Sequence, residues 1–546
     1  MPTQTYQLPI AQPLAEAYIN RTDHRLAEIY GYDAGNELDW NKRLDSLNSR
    51  KETRAAAADI ASVLRIYNEA LGASPQTMLS IGAIAEGAPV VVGGQQAGLW
   101  TGPLLVIHKA VSIIGAAKSA SKQLGVPVVP VFWIAGEDHD WDEANHAYVI
   151  SAEQELKKLA VPRPEGPRTS VSRTKLAPET WEHLLGELEQ SLPHSEFKPQ
   201  MLEKLTGMCS ESGSLSELFA RVLSHLFGEE GLVLLDADDE GVRRLESPMF
   251  EKVLRRNDEL EAAYTASAQR LKDMGYTLQA DVVPGSANLF LFHPDRGEER
   301  ILLHKKDGYF RDRKDQDEWT LEQLLVLAER EPRLFSNNVL TRPLMQDYLF
   351  PVLAAVLGPG EIAYWGMTGE AFRTLGMEMP ILVPRMSFTL VEGIIAKNMA
   401  KYELTFGDVM DSFEIRKEQW LKAQDTLAIE EKFGAVKDVF QSMYGPLIEL
   451  AGSIQPGLTK LGETNMAKIL EQIGYMEAKT SDAHNKQFEA ATRQLDRIAL
   501  TLRPSGKPQE RVLSMVAYWN RYGEAWLTKL LETPYSRVGG HEIVYL

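Results

Sequence analysis

A single cysteine, Cys209, stands in a chain of 546 residues, which excludes an intrachain disulfide and a thiolate metal cage and points to a reducing compartment. With no His or Lys adjoining it, the thiol reads as a small buried hydrophobe rather than a nucleophile. Nowhere do eighteen apolar residues run uninterrupted, and the opening MPTQTYQLPI has no basic stretch leading into an apolar one. Neither a membrane span nor a secretion signal is expected, and the chain reads as cytoplasmic. Positive charge is scarce: 58 Lys and Arg against 76 Asp and Glu leave a net −18. A broad basic face for nucleic acid or anionic lipid is thereby excluded, although a local pocket for a small anion is compatible. Hydrophobic and charged shares of 44% and 25% are those of a globular protein, and the length predicts two or more substructures.

Helical patterns fill residues 1–87 and end in KETRAAAADIASVLRIYNEALGA, which carries no readable chemistry. From residue 88 a β-branched run, PVVV, leads into the glycine-rich GGQQAGLWTG and then a helix opening at Pro103, where proline suits the first turn. PVVPVFWIAGED follows as a second buried strand with an acidic end, completing a right-handed βαβ unit. The spacing therefore predicts the N-terminal helices and first half of a Rossmann-type α/β core over residues 1–150, and a helix-prone insertion over 151–230. The core continues over 231–279 with the strand GLVLLDAD and a helical stretch from 241 to 272. A second, β-rich insertion over 280–330 contains ANLFLFHP and ILLHKKDGYF. The second half of the core, 331–389, reads as a helix over 343–357, a turn GPGE, a short strand IAYW and a strand PILVPR. Beyond it, Met466, Ile469, Ile473 and Met476, then Phe488, Ala491, Leu495, Ile498 and Leu502, recur by threes and fours as a helical seam. Residues 390–510 are thus an antiparallel helical hairpin or coiled coil, broken at IQPG over 454–457 and suited to a homodimer, and 511–546 return to the core.

Three stretches carry chemistry. In GGQQAGLWTGPLLVIHK, Gly93, Gly94 and Gly102 let backbone approach a ligand, and the next helix offers unpaired N–H groups to an anion such as a nucleotide phosphate. Gln95, Gln96, Thr101, His108 and Lys109 accompany them, in a spacing that disfavours both the dinucleotide fingerprint and the Walker loop. In GEDHDWDEANH, Glu137, Asp138, His139, Asp140, Asp142, Glu143 and His146 follow a buried strand, where ligands of open α/β sheets bind. Such a set serves general acid/base work or a metal such as magnesium, and zinc hydrolysis is a rival reading although no standard zinc spacing is present. In the third, Arg342, Gln346 and Asp347 surround a helix start, and Glu361, Tyr364 and Trp365 follow; Arg342 has the fork to clamp a carboxylate or phosphate. His293, His304 and His541 read as structural.

Thr101 to His108 also resembles the Thr-Gly-x-Leu-His-x-Gly-His loop of class I aminoacyl-tRNA synthetases, with Leu105 and Ile107 replacing the first histidine and inner glycine. Arg385, Met386, Ser387, Phe388 and Thr389 fall where those enzymes have Lys-Met-Ser-Lys-Ser, but Phe388 replaces the phosphate-holding lysine. Taken together, VVGGQQAGLWTGPLLVIHK, FWIAGEDHDWDEANH, SNNVLTRPLMQDYLFPVLA, GPGEIAYWG, PRMSFTLVE and LRPSGKPQER resemble the bacillithiol-biosynthesis cysteine-adding (BshC) family, the cysteine ligases, over residues 88 to 511. The resemblance implies a Rossmann core with two inserted connecting segments and a C-terminal coiled coil that mediates dimerisation. It further implies a ligase that joins the cysteine carboxyl to the glucosamine amine of glucosaminyl malate, with ATP as energy source (ATP or ADP bound, Mg2+ as companion ion). Its core site would comprise Gln95, Thr101, His108 and Glu137 to Asp140, with Arg385, Ser387 and Thr389 by the nucleotide. His108 would stabilise phosphate charge, and Asp138 or His139 would deprotonate the incoming amine. A metal-dependent hydrolase and a nucleotide-binding scaffold remain as alternatives.

Overall fold

The computed structural model describes residues 4–313, 316–424 and 427–546, which form two compact units: Met1–Leu390 with Gln509–Leu546, and Val391–Pro508. At the centre of the first lies a five-stranded parallel sheet of β1 (Val90–Gln95), β2 (Val129–Ile134), β3 (Val233–Asp236), β4 (Val352–Leu357) and β5 (Ile381–Pro384). Nearly every strand residue is buried and apolar, as a parallel sheet covered on both faces demands. The order β3-β2-β1-β4-β5 is that of a Rossmann half-sheet. Register pairs Gly94 with Trp133 and Gln95 with Ile134, so β1 and β2 end level with one another.

Helix α1 (Leu105–Leu124) returns the chain from β1 to β2 and ends at Gly125, whose φ of +68° is a left-handed cap that glycine tolerates. After β3, α2 (Glu240–Arg255) and the helix Asn257–Asp273 divide the stretch expected as one helix. The first insertion begins with an antiparallel pair, His146–Ile150 against Leu156–Ala160, before its helices Pro178–Ser191, Lys198–Ser210 and Leu215–Phe227. The second is an antiparallel sheet whose strands include Ser286–His293, Glu299–Lys306 and Phe335–Asn337.

Two expectations are corrected in the second half of the core. The predicted helix 343–357 is α3 (Arg342–Leu349) followed by β4. Pro351 forces the turn between them, because the residue before a proline is driven to extended geometry, and Phe350 has φ −129° and ψ 151°. The predicted strand IAYW is instead the body of α4 (Pro359–Trp365). Gly358 serves as its N-cap, Pro359 opens it, and the Glu361 carboxylate accepts the Gly358 N–H at 2.8 Å.

In the second unit, α5 (Ile429–Ile454) and α6 (Gly457–Asn485) form an antiparallel hairpin that turns at Gln455–Pro456, inside the predicted break. Tyr444 accepts from Asn465 at 2.8 Å and Lys437 pairs with Glu477, a register only antiparallel helices give. Met466, Ile469 and Ile473 are half-buried, whereas Met476 is 56% exposed and leaves the predicted seam. In α7 (Glu489–Leu502), Leu495, Ile498 and Leu502 are buried as expected.

Candidate functional site

In the parallel sheet, the order in which the chain adds strands reverses between β1 and β4, and the connections leaving these two neighbours diverge to opposite faces, opening a crevice at their carboxyl ends. Glycine makes β1 fit there: a Cβ on Gly94 would lie 3.0 Å from the Trp133 carbonyl oxygen, and one on Gly93 2.7 Å from Ile113 Cδ1. Gln95 and Gln96 emerge half-buried at the strand end. Beneath them Lys109, on the second turn of α1, donates to the Gly94 carbonyl at 2.7 Å, Gln95 Oε1 at 3.1 Å and Glu361 Oε2 at 2.5 Å. Burial pushes this ammonium below its ordinary pKa, and Glu361 opposes the shift. One lysine thus ties β1 to the N-terminus of α4 across the crevice.

The acidic segment after β2 spreads its carboxylates rather than converging them. Gly136 is required by crowding, since a Cβ there would sit 2.0 Å from Ser172 Oγ and 2.3 Å from Asp236 Oδ1. Glu137 turns inward to the buried Arg243 at 2.5 Å and accepts the Asn337 N–H at 3.2 Å. Asp138 turns outward, accepting from Gln96 Nε2 at 2.5 Å and from the His139 N–H at 2.7 Å. Burial alone would raise its pKa, but His139, Arg300 and Gln96 hold the carboxyl well below the usual range. His139 is a third exposed, and its Nδ1 accepts from Arg300 Nη1 at 3.1 Å. Asp140 caps a short helix by accepting the Glu143 N–H at 3.2 Å, a structural task. Asp236, at the end of β3, is buried and its pKa is thereby pushed up to about 7 while Ser172 donates to it at 2.6 Å.

Across the crevice, Arg342 at the start of α3 donates to the Tyr364 hydroxyl. The other candidates of this stretch lie elsewhere. Asp347 is buried against Arg43 at 2.6 Å, and Arg43 also donates to the Val352 carbonyl, which places the pair at the amino end of β4, away from the crevice. Gln346 is buried on the same helix and Trp365 packs into the core.

Thr101 and Gly102, expected beside a phosphate, are buried, with Leu513 accepting the Leu104 N–H at 2.8 Å and Ser514 bridging Pro103. Trp100 and Thr101 have φ of +47° and +70°, left-handed geometry that non-glycine residues seldom adopt. His108 is fully buried: its Nδ1 lies 2.6 Å from Glu510 Oε2, and its ring meets Phe388 edge-on. Arg385 forks onto both Glu510 oxygens at 2.8 Å. Burial would raise the Glu510 pKa, but Arg385 and His108 hold it well below the usual carboxylate range. Ser387 and Thr389 sit on β6 (Met386–Val391), where His541 of β7 (Gly540–Tyr545) engages both, at 2.7 and 2.9 Å. His108, Arg385 and Glu510 thus form one bonded cluster and Ser387, Thr389 and His541 another, whereas Gln95, Gln96, Asp138, His139, Arg342 and Glu361 face the crevice. Sequence reasoning missed Arg243 and Arg300, which carry no motif and lie far along the chain from their partners, and gave Glu510 no role.

Among the described residues no group of three or more His, Cys, Asp or Glu side chains is arranged to hold a metal ion, and no helix is long and apolar enough to cross a membrane. The family model for the N-terminal Rossmann-like domain of bacillithiol biosynthesis BshC matches residues 1–386, and that for its C-terminal coiled-coil domain matches residues 388–546. A relative from Geobacillus thermodenitrificans, named "Putative cysteine ligase BshC", is 36% identical with all of both chains covered. One of the same name from Symbiobacterium thermophilum is 36% identical over 96% of each. A Campylobacter jejuni structure titled as an arginyl-tRNA synthetase matches with a TM-score of 0.21 at 10% identity, covering 80% of this chain and 98% of its own, too low to bear on the fold.

Proposed function

The chain belongs to the BshC family of bacillithiol biosynthesis, and from that premise we propose that it is a cysteine ligase acting on glucosaminyl malate in the crevice between β1 and β4. The product is the amide of the cysteine carboxyl with the glucosamine amine. The observation that carries this reading is the set of unlike polar groups on the crevice walls: anionic Asp138, the amides of Gln95 and Gln96, and cationic Arg342.

Amide formation from a free carboxylate is uphill in water, so the carboxyl must first acquire a leaving group, which ATP supplies. Arg342 has the geometry to bind a phosphate or carboxylate oxygen. Magnesium would arrive with the nucleotide, because this ion keeps several waters and needs only one or two carboxylates, a demand the Glu361 carboxylate can meet. Asp138, held anionic, would receive the amino group of the sugar and orient it toward the activated carbonyl. We propose that two copies assemble through the helical hairpin, since Val436, Val439, Met443, Leu447, Leu450 and Ile454 form an exposed stripe on α5 at heptad-like spacing.

The test is to incubate purified protein with glucosaminyl malate, cysteine, ATP and magnesium, and to follow bacillithiol, AMP and ADP by mass spectrometry. Bacillithiol with AMP would mean an adenylate route and with ADP an acyl phosphate. Folded protein that yields no bacillithiol refutes the ligase reading for the isolated chain.

A further inference from the structure

The inserted antiparallel sheet sends one cation to the acidic segment. Arg300, on the strand Glu299–Lys306, lies with its guanidinium carbon 3.8 Å from the centre of the Phe290 ring. Its Nε donates to Ser336 Oγ at 2.9 Å and its Nη2 to the Asn337 carbonyl at 2.8 Å. Strand register holds these parts together, pairing Phe292 with Arg300 and Phe290 with Ser336. The guanidinium therefore has a fixed aim, and its Nη1 points at His139 Nδ1 from 3.1 Å.

An arginine has N–H donors only and is never an acceptor. Facing it, Nδ1 of His139 must present its lone pair, and a neutral imidazole then carries its proton on Nε2. The competing arrangement puts the proton on Nδ1 and aims it at Asp138 Oδ1, 3.4 Å away. That proton would meet the Arg300 N–H at shorter range, and Asp138 Oδ1 already accepts the backbone N–H groups of His139 and Asp140 at 2.7 and 3.4 Å. Among the described residues Nε2 has no hydrogen-bond partner, and it belongs to a side chain 32% exposed at the crevice.

Resting on the ligase reading above, we infer that Arg300 is a positioning residue that fixes His139 in the Nε2–H tautomer, so that His139 meets the substrate as a hydrogen-bond donor to an anionic oxygen and not as a base. The oxygen is a carboxylate or phosphoryl oxygen of the activated acyl group, or the carbonyl oxygen on which charge develops when the amine attacks. A donor already aimed at such an oxygen stabilises the transition state without moving a proton. The second insertion thereby acquires a role, as a rigid platform that sets the chemistry of a side chain on the core.

The tautomer is read directly in full-length protein labelled with 15N-histidine, the His139 signals being those lost in His139→Gln. The expected spectrum has an unprotonated Nδ1 and a protonated Nε2 at neutral pH, and Arg300→Met, which removes the donor, redistributes the proton between them. A proton on Nδ1 in wild type overturns the inference whether or not the chain proves to be a ligase. In the bacillithiol assay, His139→Gln, which keeps an N–H near the Nε2 position, retains activity within about tenfold, whereas His139→Ala loses about 100-fold or more in kcat, the cost of one oxyanion donor. Equal loss in both variants overturns the donor role. Absence of product from wild type refutes the ligase reading instead, and the spectrum still decides the tautomer.

Discussion

Glu510 accepts from two sides at once, from Arg385 through both oxygens and from His108 through one. Removing its charge would leave Arg385 buried and uncompensated, and breaking such a pair costs about 3–5 kcal/mol. Glu510→Gln is accordingly expected to lower the urea midpoint by a corresponding amount, and an unchanged midpoint would mean that the pair contributes nothing net. His541 supplies a pH-dependent counterpart. Burial pushes its pKa down to about 4 from an ordinary 6.5, so the folded state binds a proton less readily than the unfolded chain. Its contribution is fully present above pH 6.5 and is lost as pH falls toward 4, amounting to about 3 kcal/mol over that window. Denaturation at stepped pH should find this loss reduced in His541→Gln relative to wild type; equal slopes would place the titration elsewhere.

Elements differ in how much of themselves they write into the sequence. The strand–glycine loop–helix unit from β1 to α1 was legible because β-branched residues mark the strand and glycines the loop, although the helix opens at Leu105, two residues after Pro103, which bridges to Ser514 instead. β4 was not, because VLAAVL is apolar without a period, and only Pro351 hints that the preceding helix has ended. Likewise α4 hides behind GPGE, which reads as a turn until the Glu361 carboxylate is seen to cap the helix. Of the site, the segments were legible but not the aim of their side chains. Nothing local announces that Glu137 faces Arg243 while Asp138 next to it faces Gln96, since alternation of direction at a strand end depends on what the distant chain brings there. Gly136 is the element-scale test of that arrangement. In Gly136→Ala the new methyl group would overlap Ser172 and Asp236, an overpacking worth about 1–3 kcal/mol. The expected outcome is a lowered thermal midpoint together with reduced bacillithiol formation, because the shift passes directly into Glu137 and Asp138. Wild-type values for both would show that the segment relaxes freely.

At the scale of the whole molecule, a strongly acidic chain with a net −18 carries an apolar stripe on α5 that its own hairpin leaves exposed, from Val436 at 54% to Ile454 at 78%. Self-association through that stripe predicts a dimer by light scattering, converted to a monomer in Met443→Glu/Leu450→Glu with helix content preserved. A double variant that remains dimeric would place the interface on another surface. The unit that carries the crevice contains all the residues to which chemistry is assigned, so the ligase account stands or falls there. Its most direct test is the rate of bacillithiol formation by Asp138→Asn beside wild type, with the unfolding midpoints of both measured. The account predicts product from wild type and a loss of about 100-fold in a variant that remains folded, because a neutral amide no longer holds the amino group at the activated carbonyl. Turnover by Asp138→Asn at the wild-type rate would contradict it and move the reaction away from the carboxyl ends of β1 and β2.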